Sequence, residues 1–446
     1  MSISKVIGTF LKNILPSPFS IAIVLTAISF IFALLFTNPG VSITDYAIDI
    51  TGFWEKGFWE LLAFTTQMIL MLVLGHTLAL TTGINKLINV VVKYCNTTAK
   101  AAFIVTLLTV LVSLFNWGLG LIFGAILARK VGEIAQKHGN KLNYPLIGAA
   151  GYSGLMVWHG GFSGSAPLKI AEPDHFLVDS MGQVLINETI LSTMNISVSI
   201  ALIIILPLSM FLLAQKSNNF HFELSANLSL DNINRKNVHG AEKLDYSKIF
   251  TIAFSLVFII TAIGKIFKAD DLSFLNLNYI NFLLFGLALL MHGNIARFLN
   301  AVNKAIVGST GILIQFPLYA GIMGIMKYSG LTILFTDFFI NISSQTTFPI
   351  YTLISAGIVN IFVPSGGGQW IVQGPIIIEA AKQLNVPIAK AVMALAYGDQ
   401  LTNMLQPFWA LPLLGITGLK AKEIIPYTMF LMIIGLIIYI GGLLIF

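Results

Sequence analysis

The chain has 446 residues, of which 56% are hydrophobic and only 10% charged, and its mean hydropathy is +0.86. A soluble domain of this size carries about a quarter of its residues charged, so this composition excludes a water-soluble globular fold. The net charge of +6 predicts basic cytoplasmic loops on a protein seated in the lipid bilayer, not a nucleic-acid partner. The single cysteine, Cys95, excludes an internal disulfide, and no cysteine–histidine cluster suggests a structural metal.

In chain order, the first apolar run covers residues 21–36 and follows Lys5 and Lys12. It lacks an A-x-A cleavage pattern, so it reads as a retained first span with the N-terminus in the cytoplasm. Asp45, Asp49 and Glu55, against one Lys56, place the following segment outside. A helix near 59–82 returns to Lys86, Lys93 and Lys100. The stretch 101–128 then leads to Arg129, Lys130, Lys137 and Lys141, so both of its ends belong inside. Its middle, Asn116-Trp117-Gly118-Leu119-Gly120, predicts a re-entrant hairpin, since a straight crossing would export those four basic residues.

A crossing near 142–168 leads outward to an acidic loop with Glu172, Asp174, Asp179 and Glu188, and 190–214 returns inside. The polar segment 216–248, with Asn218, Asn219, Asn232, Asn234, Arg235 and Lys236, reads as a cytoplasmic linker between two halves, 1–215 and 249–446. The second half runs out near 250–266 and in near 279–292, passes Arg297 and Lys304, and goes out near 305–326. A second hairpin at 348–381 then opens from outside, 388–418 crosses in to Lys420 and Lys422, and the last span ends outside. This threading puts 18 of the 25 basic residues inside, as a multi-pass protein of a bacterial inner membrane requires.

An internal repeat accompanies the threading. Lys56 and Lys304 are 248 apart, as are Gln67 and Gln315, and Thr97-Thr98 and Thr346-Thr347 differ by 249. The expected fold is therefore all-α and polytopic, with two inverted-topology repeats. Each contains a re-entrant helical hairpin and a discontinuous transmembrane helix, the plan in which secondary transporters bind their cargo at the midplane.

Two pairs of interrupted segments carry the candidate chemistry. The hairpin tips are Asn116-Trp117-Gly118 and Ser365-Gly366-Gly367-Gly368-Gln369-Trp370. Three glycines cost about 1 kcal/mol each inside a helix relative to alanine. They are intelligible where a backbone must turn and offer its N–H groups to an anion. The second pair is 160–167, with Ser163, Ser165 and Pro167, and 399–407, with Asp399, Asn403, Gln406 and Pro407. Each proline suits the first turn of a restarting half-helix, and unwound carbonyls beside these side chains suit a coupling cation. Asn116, Ser163, Asp399 and Asn403 are the coupling-ion candidates. Asp399 is an acid inside a membrane segment, read equally as a sodium or proton site or as a residue at an aqueous mouth or helix end. His76 and His159 read as helix-packing residues. No nucleotide-binding loop, metal motif or nucleophile elbow is present, so neither ATP hydrolysis nor an enzyme is expected, and no organic cofactor.

The strings NWGLGLIFGA (116–125), GGFSGSAPL (160–168), VPSGGGQWIVQGP (363–375), AYGDQLTNMLQPFWALP (396–412) and FWELLAFTTQM (58–68) resemble those of the bacterial short-chain fatty acid uptake transporters. The resemblance covers nearly the whole chain. It implies transport of small monocarboxylates such as acetoacetate or butyrate across the cytoplasmic membrane. It also looks like a link to the wider ion-transporter group with paired hairpins, which implicates Asn116, Gly118, Ser163, Ser165, 365–369, Asn403 and Gln406 in binding. The tips lack the Ser-Asn-Thr triplets of the dicarboxylate–sodium symporters in that group. Importing a monovalent anion against an inside-negative potential costs about 2.3 kcal/mol per 100 mV, so symport with Na+ or H+ is expected. A dicarboxylate or other small organic anion, or cation/proton antiport through Asp399, stays open as an alternative, and so does a homo-oligomer.

Overall fold

A computed structural model describes residues 18–219, 222, 224, 240–269, 272, 274–363 and 365–446. Lys5, Lys12, Asn232, Asn234, Arg235, Lys236 and Pro364 therefore lie outside the described residues. The first half comprises α1 (Pro18–Phe36), α2 (Ile43–Glu60), α3 (Leu62–Ala79), α4 (Thr82–Val91), α5 (Thr98–Phe115), α6 (Trp117–Lys137), α7 (Tyr144–Tyr152), α8 (Ser165–Lys169), α9 (Val178–Met181) and α10 (Thr193–Gln215). The second comprises α11 (Lys248–Lys268), α12 (Leu277–His292), α13 (Ile295–Ile306), α14 (Thr310–Ser329), α15 (Leu331–Ile342), α16 (Phe348–Phe362), α17 (Gly366–Gln383), α18 (Ile388–Thr402), α19 (Pro407–Thr417) and α20 (Ala421–Ile445).

Among the described residues, six helical stretches are long and apolar enough to cross a membrane: α3, α5, α10, α11, the α13–α14 run and α20. The distribution of apolar side chains shows which faces meet lipid. On α10, Ile196, Ile200, Ile204, Leu208 and Leu212 form an exposed stripe, whereas Val198, Leu202, Leu206 and Met210 are buried. An aliphatic stripe facing outward is costly in water and costs nothing in hydrocarbon.

Two segments to which the sequence reading gave no helix are helical. The acidic stretch after α1 forms α2, which buries Tyr46, Ile50 and Gly57. Its backbone comes so close to α14 that a Cβ on Gly57 would stand 2.5 Å from the Ala320 carbonyl oxygen and 2.6 Å from Gly324 Cα. Small residues at such a crossing let two membrane helices gain dispersion along their length. The basic stretch after α3 forms the surface helix α4, with Ile88 turned inward. Both carry a sparse apolar face that a count of charges passes over.

The segments that interrupt the bundle lie near its centre. The chain breaks between α5 and α6 at Asn116, between the end of α16 at Phe362 and the start of α17 at Gly366, between α7 and α8 through short 3-10 turns, and between α18 and α19 through Asn403–Leu405. Pro407 is the first residue of α19 and Pro167 the third of α8. Both positions need no N–H inside the helix.

Candidate substrate site

The first break is locked from within. Asn116 is fully buried, takes an extended backbone and caps α6 by accepting the Leu119 N–H at 2.7 Å. Its amide reaches back to Met71 of α3, and the Trp117 N–H is taken by Ser163 Oγ at 2.9 Å. Gly75 leaves room for this cap, because a Cβ there would collide with Asn116 Oδ1. Gly75→Ala is therefore expected to destabilise the fold by about 1–3 kcal/mol. Gly415→Ala, whose added Cβ meets nothing within 4 Å, should leave the melting temperature in detergent unchanged; equal melting of both variants would contradict the cap.

The second break builds an anion-ready terminus. Ser365 Oγ accepts the Gly368 N–H at 3.2 Å and the Ser365 carbonyl accepts the Gln369 N–H at 2.7 Å. The Gly366 and Gly367 N–H groups have no acceptor among the described residues. They open an 18-residue helix, whose N-terminal partial charge favours an anion. Behind this terminus, Gln369 is tied to the Ala356 carbonyl and to Gln373. Trp370 is fully buried in an apolar cluster with Phe348, Ile377 and Leu395.

The two interrupted helices meet beside that terminus. His159, in the α7–α8 connection, and Asp399, on α18, are both fully buried, and His159 Nδ1 lies 2.7 Å from Asp399 Oδ2. Because His159 Nε2 accepts the Ala166 N–H at 3.2 Å, the ring proton sits on Nδ1 and is donated to the carboxylate. Asp399 Oδ1 has no partner among the described residues. The unwound carbonyls are supplied with donors across the junction. Tyr152 OH donates to the Asn403 carbonyl at 2.9 Å and the Gln406 carbonyl at 3.2 Å. Asn195 donates to the Gly160 carbonyl, Thr428 to that of Met404, and Tyr439 to that of Met156. Non-helical backbone within a bundle is stable only when satisfied in this way.

Between these elements lies a small cavity of about 20 Å³, enough in this conformation for about one water molecule. Its apolar wall comes from Trp117, Trp158, Trp409, Met68, Ile312 and Phe316, and its polar groups from Ser165, Ser365, Gly366, Gly367 and Asn403. Ser165 Oγ is buried without a partner among the described residues. Asn403 Oδ1 accepts from Asn360 at 3.0 Å.

The structure thus brings Trp117, Ser165, Ser365, Gly366, Gly367 and Asn403 together at the cavity. Asn116, Gly118, Ser163, Gly368, Gln369, Trp370 and Gln406 stand outside its wall. Asn116, Ser163, Gln369 and Gln406 are engaged in hydrogen bonds that hold the breaks. Gly118 lies against Leu72, and Gly368 against the Tyr319 ring. Asp399 is buried in the body of α18. The sequence reading passed over Trp158, Trp409 and His159 as site residues. The two tryptophans flank the glycine- and proline-rich strings, and that flanking was the one available signal.

Among the described residues the chain is an all-helical, multi-pass membrane bundle whose broken helices meet at a small, mostly apolar cavity. Two solved transporters share the fold. One is YdaH of Alcanivorax borkumensis, described as having an unusual topology (16% identity, TM-score 0.59, covering 96% of this chain and 98% of that one). The other is MtrF of Neisseria gonorrhoeae, described as illuminating a class of antimetabolite efflux pumps (15% identity, TM-score 0.63, covering 98% and 97%). The chain belongs to the short chain fatty acid transporter family, which matches residues 1–446. Curated relatives named as short-chain fatty acid transporters occur in Escherichia coli K12 (35% identity, 100% of this chain and 99% of the relative) and Haemophilus influenzae (34%, 99% and 98%).

Proposed function

We propose that the protein carries small monocarboxylates such as butyrate or acetoacetate across the bacterial cytoplasmic membrane, in symport with Na+ or H+. The observation that carries this reading is the cavity itself, where Gly366 and Gly367, whose N–H groups have no acceptor among the described residues, and Ser165 line a mostly apolar pocket beside buried Asp399. Donors at one end suit a carboxylate, and the tryptophan-rich wall suits a short acyl chain. The relatives' names point to the same substrate class.

Asp399 supports the coupling. A Cβ on Gly366 would stand 3.0 Å from Asp399 Oδ2, so a substrate carboxylate on this terminus sits close to a buried carboxylate. Two such anions repel strongly in a medium of low dielectric constant. A cation or proton at Asp399, where Oδ1 has no partner among the described residues, removes the repulsion, so cation and substrate each favour binding of the other. Alternating access follows from inverted halves. That arrangement is supported by the order of the helices, since the breaks before α6 and after α7 recur in the same order before α17 and after α18.

Ser365→Ala tests the substrate end. It removes a helix cap worth about 1 kcal/mol and one polar group of the cavity wall. Butyrate affinity is expected to fall about 5- to 10-fold with the folded protein retained in the membrane. Unchanged affinity would remove Ser365 from the site.

A further inference from the structure

A second buried charge cluster stands apart from the cavity. Lys169, at the end of α8, forms an ion pair with Glu172, and both side chains are less than a tenth exposed. Gln67 of α3 completes the cluster. Its amide donates to Glu172 Oε1 at 2.8 Å and to Asn278 Oδ1 at 3.0 Å, and its Oε1 accepts from Lys169 at 3.4 Å. Asn281 of α12 donates to the Gln67 carbonyl at 2.9 Å. Within the acidic stretch that the sequence places outside, Glu172 is buried and neutralised by a base three residues away.

The cluster is one aromatic layer away from the cavity. Lys169 Nζ lies 5.5 Å from the Phe64 ring centroid, and Phe64 contacts Phe316 with centroids 5.9 Å apart. Both rings would crowd a Cβ on Gly367, at 3.2 and 2.9 Å, and Phe316 lines the cavity. The ion pair and the N-terminus of α17 thus both border the Phe64–Phe316 pair. By the charge threading, the ion-pair side faces outside.

A buried ion pair is poor value as a stabiliser, because desolvating both groups offsets their attraction. What it provides is an ammonium group, held in a dry site, whose resident ligand is a carboxylate. Resting on the carboxylate-transport reading, we infer that Lys169 is a relay site for the substrate anion. The incoming carboxylate displaces Glu172 from Lys169, then passes the Phe64–Phe316 layer to the Gly366 and Gly367 N–H groups. In this structure Glu172 holds the place that the substrate takes.

Two single variants separate this role from scaffolding. Glu172→Gln removes the competing carboxylate and leaves Lys169 for the substrate, so the KM for labelled butyrate in reconstituted vesicles should fall severalfold while turnover slows. Lys169→Gln should raise KM about tenfold. A merely structural pair predicts losses of the same sign in both variants. Where a single variant fails to reconstitute, the charge-free Lys169→Gln/Glu172→Gln pair serves. It should show the same rise in KM as Lys169→Gln, and a wild-type KM would overturn the relay. Same-direction KM shifts in the singles would overturn it too, while leaving butyrate transport by the wild type standing. Absence of any butyrate uptake by the wild type would sink both readings.

Discussion

Asp399→Asn is expected to abolish cation-driven accumulation of butyrate while leaving a folded protein in the membrane. Asparagine keeps the shape of the side chain and an oxygen for the His159 Nδ1–H, which now donates to Asp399 at 2.7 Å. The buried contact between α18 and the α7–α8 connection therefore survives. The charge that would hold the coupling cation does not. Carrying a lone monovalent anion inward against 100 mV costs about 2.3 kcal/mol. At about 1.36 kcal/mol per tenfold, that lowers the inside-to-outside ratio at equilibrium to roughly one in 50. With one cation per carboxylate, transport by the wild type is electroneutral, and its ratio follows the cation gradient whatever the potential. Steady-state ratios of labelled butyrate at an imposed potential check this directly. An Asp399→Asn protein that accumulates butyrate as the wild type does would mean that coupling resides elsewhere.

Gly366→Ala should have the second largest effect, and at the substrate end. The added Cβ would stand 2.7 Å from His159 Cε1, 2.7 Å from Trp158 Cη2 and 3.0 Å from Asp399 Oδ2. None of these is the loose end of a flexible chain: Trp158 stacks on His159 with centroids 4.5 Å apart, and His159 is held by Asp399 and by Ala166. Something must therefore shift, either the imidazole away from Asp399 or the start of α17 away from the cavity. Overpacking of this kind costs about 1–3 kcal/mol, equivalent to roughly a 5- to 150-fold loss of butyrate affinity. Gly415→Ala, with open space around its added Cβ, is the matched control. Equal affinity of the two variants would show that the Gly366 terminus is not where the carboxylate sits.

The breaks were legible because their residues have few other uses in a membrane segment. A run of three glycines after Ser365, and an asparagine before Trp117-Gly118, mark a helix start on local grounds alone, and both side chains act as caps in the structure. Pro407 announced the restart of α19 in the same way. What the sequence concealed is which faces meet. His159 and Asp399 lie 240 positions apart, and nothing local to either names the other. Glu172 was read with its acidic neighbours as part of an outer loop, and nothing local marked Lys169, three residues before it, as its buried partner. Gln369 and Trp370 sit in the most distinctive string, yet they face the neighbouring helices, because a helix start fixes where N–H groups point more firmly than where later side chains go. Composition also hid α2, whose acidic residues draw the eye from the positions, such as Trp54 and Gly57, that dock it on α14.

The most direct test of the account is uptake of labelled butyrate and acetoacetate by purified protein in sealed vesicles, under an imposed sodium or proton gradient and at a fixed potential. The account predicts that one of the two gradients drives accumulation of these acids above the external concentration, and that collapsing that gradient abolishes it. Folded protein that moves neither acid, or that moves them indifferently to both gradients, would contradict cation-coupled carboxylate symport.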